Sequence, residues 1–186
     1  MEMPTVLDLP VHPLAVHVPI VLVGLLVLGG LAYLLVPPMR RLIGWAVAAL
    51  VLISPLAVYG TVWSGEQLAN YLYQDGWTDP VQQHQDNGWF LLWALVALVP
   101  VWLLFAALDR GRRAALQRNE GAAAPAGGED ELAAGSGSDD PAATGRRVLM
   151  FILGLVALAL LGAAGWFLFQ AGHTGADMVW GGTVQE

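Results

Sequence analysis

The residues of this chain most able to do chemistry are four histidines and one glutamate: His12, His17, His84, His173 and Glu66. Neutral imidazole is the commonest protein ligand for copper, zinc and iron, and a carboxylate can complete such a set. The chain has no cysteine, which removes disulfides, thiol catalysis, cysteine-held zinc and cysteine-ligated iron–sulfur clusters. A metal or cofactor would rely on nitrogen or oxygen donors, with Met178 as a soft donor for Cu(I). No two histidines have the i, i+3 or i, i+4 spacing of a metal motif on one helix, so a shared site must be assembled from several helices. His12 and His17 are five apart, about 140° round a helix. They can face one site only if Pro13 starts the helix and His12 hangs from the preceding segment, and proline favours such a first-turn position. No nucleophile and base set for acyl or phosphoryl hydrolysis can be assembled, because Ser54 and Ser64 stand alone. No catalytic residue is assigned.

The elements that must position these side chains follow from composition. Of 186 residues, 56% are hydrophobic and only 12% are charged, against roughly 25% charged in a soluble domain. A bilayer core about 30 Å thick needs roughly 20 apolar residues of helix. Four stretches meet this: Val18 to Val36, Leu42 to Val62, Trp89 to Leu108 and Val148 to Phe169, each without a charged residue. None alternates as a membrane barrel strand would. The expected fold is all-α, a polytopic membrane protein with a four-helix up-and-down transmembrane bundle. Residues 1–108 hold the first three helices with an outer loop over 63–88, and 148–186 hold the fourth helix and an outer tail. Between them, 109–147 is expected to be a disordered acidic linker, since its middle from Glu120 to Gly145 has almost no large apolar residue to offset the entropy of ordering. Pro55 and Pro100 fall inside spans and are expected as tolerated kinks. The first span is too long, and its flank too poor in positive charge, for a cleaved secretion signal, so it is expected to persist.

Every basic residue is an arginine, and Arg40, Arg41, Arg110, Arg112, Arg113, Arg118, Arg146 and Arg147 all fall between spans one and two or between spans three and four. Positive residues flanking helices stay cytoplasmic. The expected location is therefore the cytoplasmic membrane, multi-pass, with both termini extracytoplasmic. This topology gathers all four histidines and Glu66 at the outer end of the bundle. There His173 lies on a stripe with Phe169, Trp166, Gly165 and Gly162, and His17 lies above Val21 and Gly24. Such glycines allow close helix approach or leave space for a flat ring. The formal charge of −7 excludes nucleic acid as a natural partner. The lipid bilayer is the expected one.

The run His12-Pro13-Leu14-Ala15-Val16-His17-Val18-Pro19-Ile20 resembles the "HP-x-x-VHFPI" opening of the membrane proteins grouped as domain of unknown function 2231. Gly172-His173-Thr174-Gly175-Ala176-Asp177-Met178-Val179-Trp180 is similar to the "GH-x-G-x-x-LVY" ending of that family, and His84 opens the third span as a histidine does there. The likeness covers nearly the whole chain outside Glu120 to Gly145. This chain has Val18 for the usual Phe, Trp180 for Tyr, and Gly181-Gly182-Thr183 where the family often has another histidine and glycine. The resemblance implies the same topology and highlights the four histidines. Relatives joined to cytochrome-type domains imply redox chemistry.

Three readings follow. Haem b could be held by two imidazoles from facing helices, drawn from His12, His17, His84 and His173, with His84 and His173 the first choice. A copper, zinc or iron ion could be held by the same histidines with Glu66. The alternative is a non-catalytic accessory or structural subunit of a larger membrane complex, in which the imidazoles bond to backbone carbonyls and loops; a redox partner protein would accompany the first two readings. Transport is disfavoured because the spans contain no charge to mark an ion path.

Overall fold

The computed structural model describes residues 5–122 and 141–181. A two-stranded antiparallel hairpin opens it, β1 (Thr5–Val6) pairing with β2 (Leu9–Pro10) in the register Thr5 to Pro10 and Val6 to Leu9. Leu7 and Asp8 between them both have positive φ, 51° and 63°, which gives the twist of a type I′ turn. Five helices follow: α1 (Val11–Ala15), α2 (His17–Leu35), α3 (Met39–Leu72), α4 (Asp79–Ala122) and α5 (Pro141–Trp180). Four are long and apolar enough to cross a membrane, the first counted from Val11 through α2. The fold is all-α with four candidate spans, as the hydropathy pattern predicts. Helices are the natural solution in lipid because each backbone donor finds its acceptor within the same segment.

The helix ends differ from the sequence-based expectation. The 34 residues of α3 make roughly 50 Å of helix, well beyond a bilayer core. Most of the outer loop expected over 63–88 is consequently helical, leaving only residues 73–78 as a turn, where Gly76 takes a φ of +118°. At the other end, α4 continues past Leu108 to Ala122, and α5 begins at Pro141. Residues 110–118 are rich in Arg, Ala, Leu and Gln, all good helix formers, and these extend the helix into the expected linker. The centre of that linker, 123–140, lies outside the described residues. Pro37 ends α2 at Leu35, because the residue before proline is pushed from the helical region. Pro55 and Pro100 both sit inside continuous helices.

The four spanning helices form a closed ring of neighbours, α2 on α3, α3 on α4, α4 on α5 and α5 back on α2. Their shared core is built from Val23, Leu26, Val47, Val51, Leu95, Leu98, Trp102 and Leu161, all essentially inaccessible. Lipid tails are as apolar as these side chains, so association rests on packing rather than on the hydrophobic effect. Small residues supply the close approach: Gly29 lies against Val47, and Gly30 against Leu161. A Cβ at Gly30 would meet the Leu161 side chain at 2.8 Å, and Leu161 is fully buried with nowhere to move. Gly24 has nothing within 4 Å of the same position. Gly30→Val is expected to cost about 1–3 kcal/mol, read as a lower thermal unfolding midpoint in detergent, while Gly24→Ala leaves it unchanged. Equal midpoints for Gly30→Val and the parent chain would contradict this α2–α5 contact.

Candidate functional site

Two of the four histidines meet. The rings of His12 on α1 and His84 on α4 lie 6.2 Å apart between centroids, at 87° to each other. Both are partly buried, and each is fastened to a different neighbouring helix.

His12 is held by α3. Its Nδ1 lies 3.0 Å from the Thr61 carbonyl oxygen and 3.3 Å from Ser64 Oγ. A carbonyl can only accept, so Nδ1 carries the proton and donates. The Ser64 hydroxyl spends its own proton on the same Thr61 oxygen at 2.9 Å, so it faces Nδ1 as an acceptor as well. Gly65 makes room for the ring, since a Cβ there would lie 2.9 Å from His12 Cε1. His84 is held by α5 in the same manner. Its Nδ1 is 3.1 Å from Thr174 Oγ1, and that hydroxyl donates to the Gln170 carbonyl at 2.8 Å. Nδ1 of His84 is thereby the donor, and Gly175 supplies the gap, with a Cβ there only 3.1 Å from His84 Cε1.

The two rings share one tautomer. With both Nδ1 atoms protonated, the lone pair of each neutral imidazole rests on Nε2. A ligating histidine commonly has this arrangement, its far nitrogen tied to an oxygen so that ring orientation and basicity are set. One turn after His84, Asn87 is buried with its amide nitrogen unpaired.

The remaining three candidates go elsewhere. Glu66 Oε1 accepts from Gln85 Nε2 at 2.7 Å and from Trp89 Nε1 at 3.2 Å, which ties α3 to α4. His17 is exposed. His173 is also exposed, with its ring stacked on Phe169 at 6.0 Å and nearly parallel. Among the described residues no three of His, Asp and Glu are grouped so as to hold a metal ion. The pair expected first, His84 with His173, is thus replaced by His84 with His12. Thr174, the next residue along, faces α4 instead, and neighbours on a helix diverge by about 100°. Most of the stripe beneath His173 likewise points outward, with Trp166 58% and Phe169 63% exposed and open space over Gly162, while Gly165 packs against Val27 of α2.

Thr61, Ser64, Gly65, Thr174 and Gly175 seat the two rings and were not legible from residue type. The nearest signal was the Gly172-His173-Thr174-Gly175 run, which marks the right turn of α5 through the wrong residue.

Comparison with family models, with curated proteins and with solved structures finds no match to this chain.

Gly65→Ala is expected to displace the His12 ring and break its bond to Thr61. The expected cost is about 1 kcal/mol, seen as faster amide exchange confined to residues 11–16. Gly60→Ala, with open space around it, is expected to leave that exchange unchanged, and equal exchange in both variants would refute the seat described for His12.

Proposed function

We propose that this chain is an integral membrane protein that binds a transition metal between His12 and His84, in a redox role. The supporting observation is the pair itself: two imidazoles from separate helices, 6.2 Å apart, each anchored through Nδ1 with its Nε2 lone pair uncommitted by the tautomer. A metal–nitrogen bond of about 2.0–2.1 Å puts each ring centre roughly 3 Å from the metal, so two imidazoles on one centre have ring centres up to roughly 6 Å apart. The separation sits at that limit. Copper, zinc or iron suits imidazole donors, and haem iron with two axial imidazoles calls for the same spacing. Bound copper or iron would supply one-electron chemistry, whereas zinc would not.

The reading includes orientation. All eight arginines lie between spans one and two or between spans three and four, which supports a cytoplasmic membrane location with the histidine end and both termini extracytoplasmic. The likeness to domain of unknown function 2231 belongs to this proposal and supports the same four-span topology. A second reading, an accessory subunit of a larger membrane complex, is favoured by the outward aromatic stripe of Trp166, Phe169 and His173 on α5. There the imidazole bonds would only pin α1 to α3 and α4 to α5.

Absorption spectroscopy and elemental analysis of purified protein separate these readings. The expected result is either a Soret band or stoichiometric copper, zinc or iron. Either is expected to be lost in His12→Ala and in His84→Ala and retained in His17→Ala and His173→Ala. Thr174→Val is expected to weaken binding by roughly 10–100-fold, as loss of an outer-shell partner does. Metal-free protein with no band, or binding that survives both His12→Ala and His84→Ala, would overturn the proposal and leave the accessory role.

A further inference from the structure

The opposite end of the bundle carries a second polar assembly. Arg40 donates from Nε to the Tyr33 carbonyl at 2.9 Å and from one terminal nitrogen to the Leu34 carbonyl at 2.9 Å. It thereby satisfies carbonyls in the last turn of α2 that have no helical partner. Its other terminal nitrogen meets Asp109 Oδ1 at 3.0 Å, and Arg113 bonds Asp109 Oδ2. The Asp109 side chain is only 4% exposed. Both of its oxygens are occupied.

A cleft of about 350 Å³ opens beside this cluster, lined by Tyr33, Arg40, Arg41, Trp45, Arg110 and Arg113. Four arginines face it against the single carboxylate of Asp109. Arg40 and Arg113 are spent on that carboxylate, whereas Arg41 and Arg110 are exposed and their side chains make no hydrogen bond or ion pair among the described residues. The cleft therefore holds uncompensated guanidinium donors at the level where the helices leave their apolar spans. Trp45, 76% exposed, lines its apolar side.

We propose that this cleft binds the phosphate of an anionic phospholipid headgroup, with Arg41 and Arg110 as the donors and Trp45 against the glycerol and upper acyl chain. Guanidinium matches phosphate oxygens in geometry and charge. Basic pockets between membrane helices suit anionic headgroups, and tryptophan favours the same interfacial depth. A free phosphate would engage the arginines and leave Trp45 uncovered. A lipid engages the arginines and covers Trp45. The proposal does not depend on the histidine pair.

The test compares lipid binding to the full chain in neutral detergent by native mass spectrometry. Phosphatidylglycerol, phosphatidylcholine and inorganic phosphate are the probes. Phosphatidylglycerol is expected to bind in preference to phosphatidylcholine, to resist an equal concentration of inorganic phosphate, and to weaken at least about tenfold in the Arg41→Gln/Arg110→Gln variant. The Arg146→Gln/Arg147→Gln variant, with the same charge removed from α5, is expected to bind as the parent does. The Arg41 and Arg110 side chains make no hydrogen bond or ion pair among the described residues, so the variant is expected to keep its unfolding midpoint. Equal binding of the two lipids, displacement by phosphate, or equal weakening in both double variants would each overturn the lipid site.

Discussion

One backbone oxygen, that of Thr61, organises the histidine end of the molecule. It takes the Ser64 hydroxyl and the His12 imidazole together, and through them it draws α1 onto α3. That helix has five residues and none is buried. It runs into α2 through Val16, which keeps helical angles and bonds on both sides, so its position is set by α2 together with its bonds to α3. The Thr61 bond, with the Ser64 hydroxyl and the space over Gly65, keeps His12 beside His84. With it, a residue from the start of the chain and one from the third span come into ring contact.

The lipid environment explains why such contacts occur at the ends of the bundle. Between the ends, the four spans hold no charge and their backbones are satisfied internally. Charged side chains are displaced to the boundaries, where they must find one another or water. At one end, imidazoles and hydroxyls bond to carbonyls and to each other. At the other, Asp109 is buried beneath Arg40 and Arg113, a group that would be costly to disrupt because removing Asp109 leaves two guanidinium groups without their shared carboxylate. Arg40 also closes the end of α2, so this cluster serves the helix terminus as well as the carboxylate. The Arg40 guanidinium lies 5.8 Å from the Tyr33 ring centroid and 5.5 Å from that of Phe105, and aromatic faces favour a cation there.

The spans were legible because their signal is long and unambiguous: about twenty apolar residues without a charge have few other physical solutions. Helix ends were less so. Residues 63–72 and 109–122 are polar enough to look like loop, and they remain helical because a helix already nucleated by the span extends at low cost. The histidine end was legible as a gathering of residues but not as a geometry. His173 and Thr174 are adjacent in sequence, yet only Thr174 meets His84. Which of them faces inward is set by the rotation of α5 against α4, and no local pattern encodes it. By sequence, His12 and His17 can share a site only if Pro13 starts the helix with His12 ahead of it; instead His12 lies inside α1 and His17 is exposed, so the two do not meet. Glu66 was grouped with the histidines by depth alone, whereas Gln85 and Trp89, one turn apart on α4, claim it.

The most direct test of the account is the contact between the two rings. The chain has only four histidines, so protein labelled with ¹³C and ¹⁵N at histidine alone, in bilayers, gives four resolvable imidazoles by solid-state NMR. The account predicts a through-space correlation between the His12 and His84 rings, each with its proton on Nδ1. A correlation of His84 with His173 in its place, or none involving His12, would contradict it.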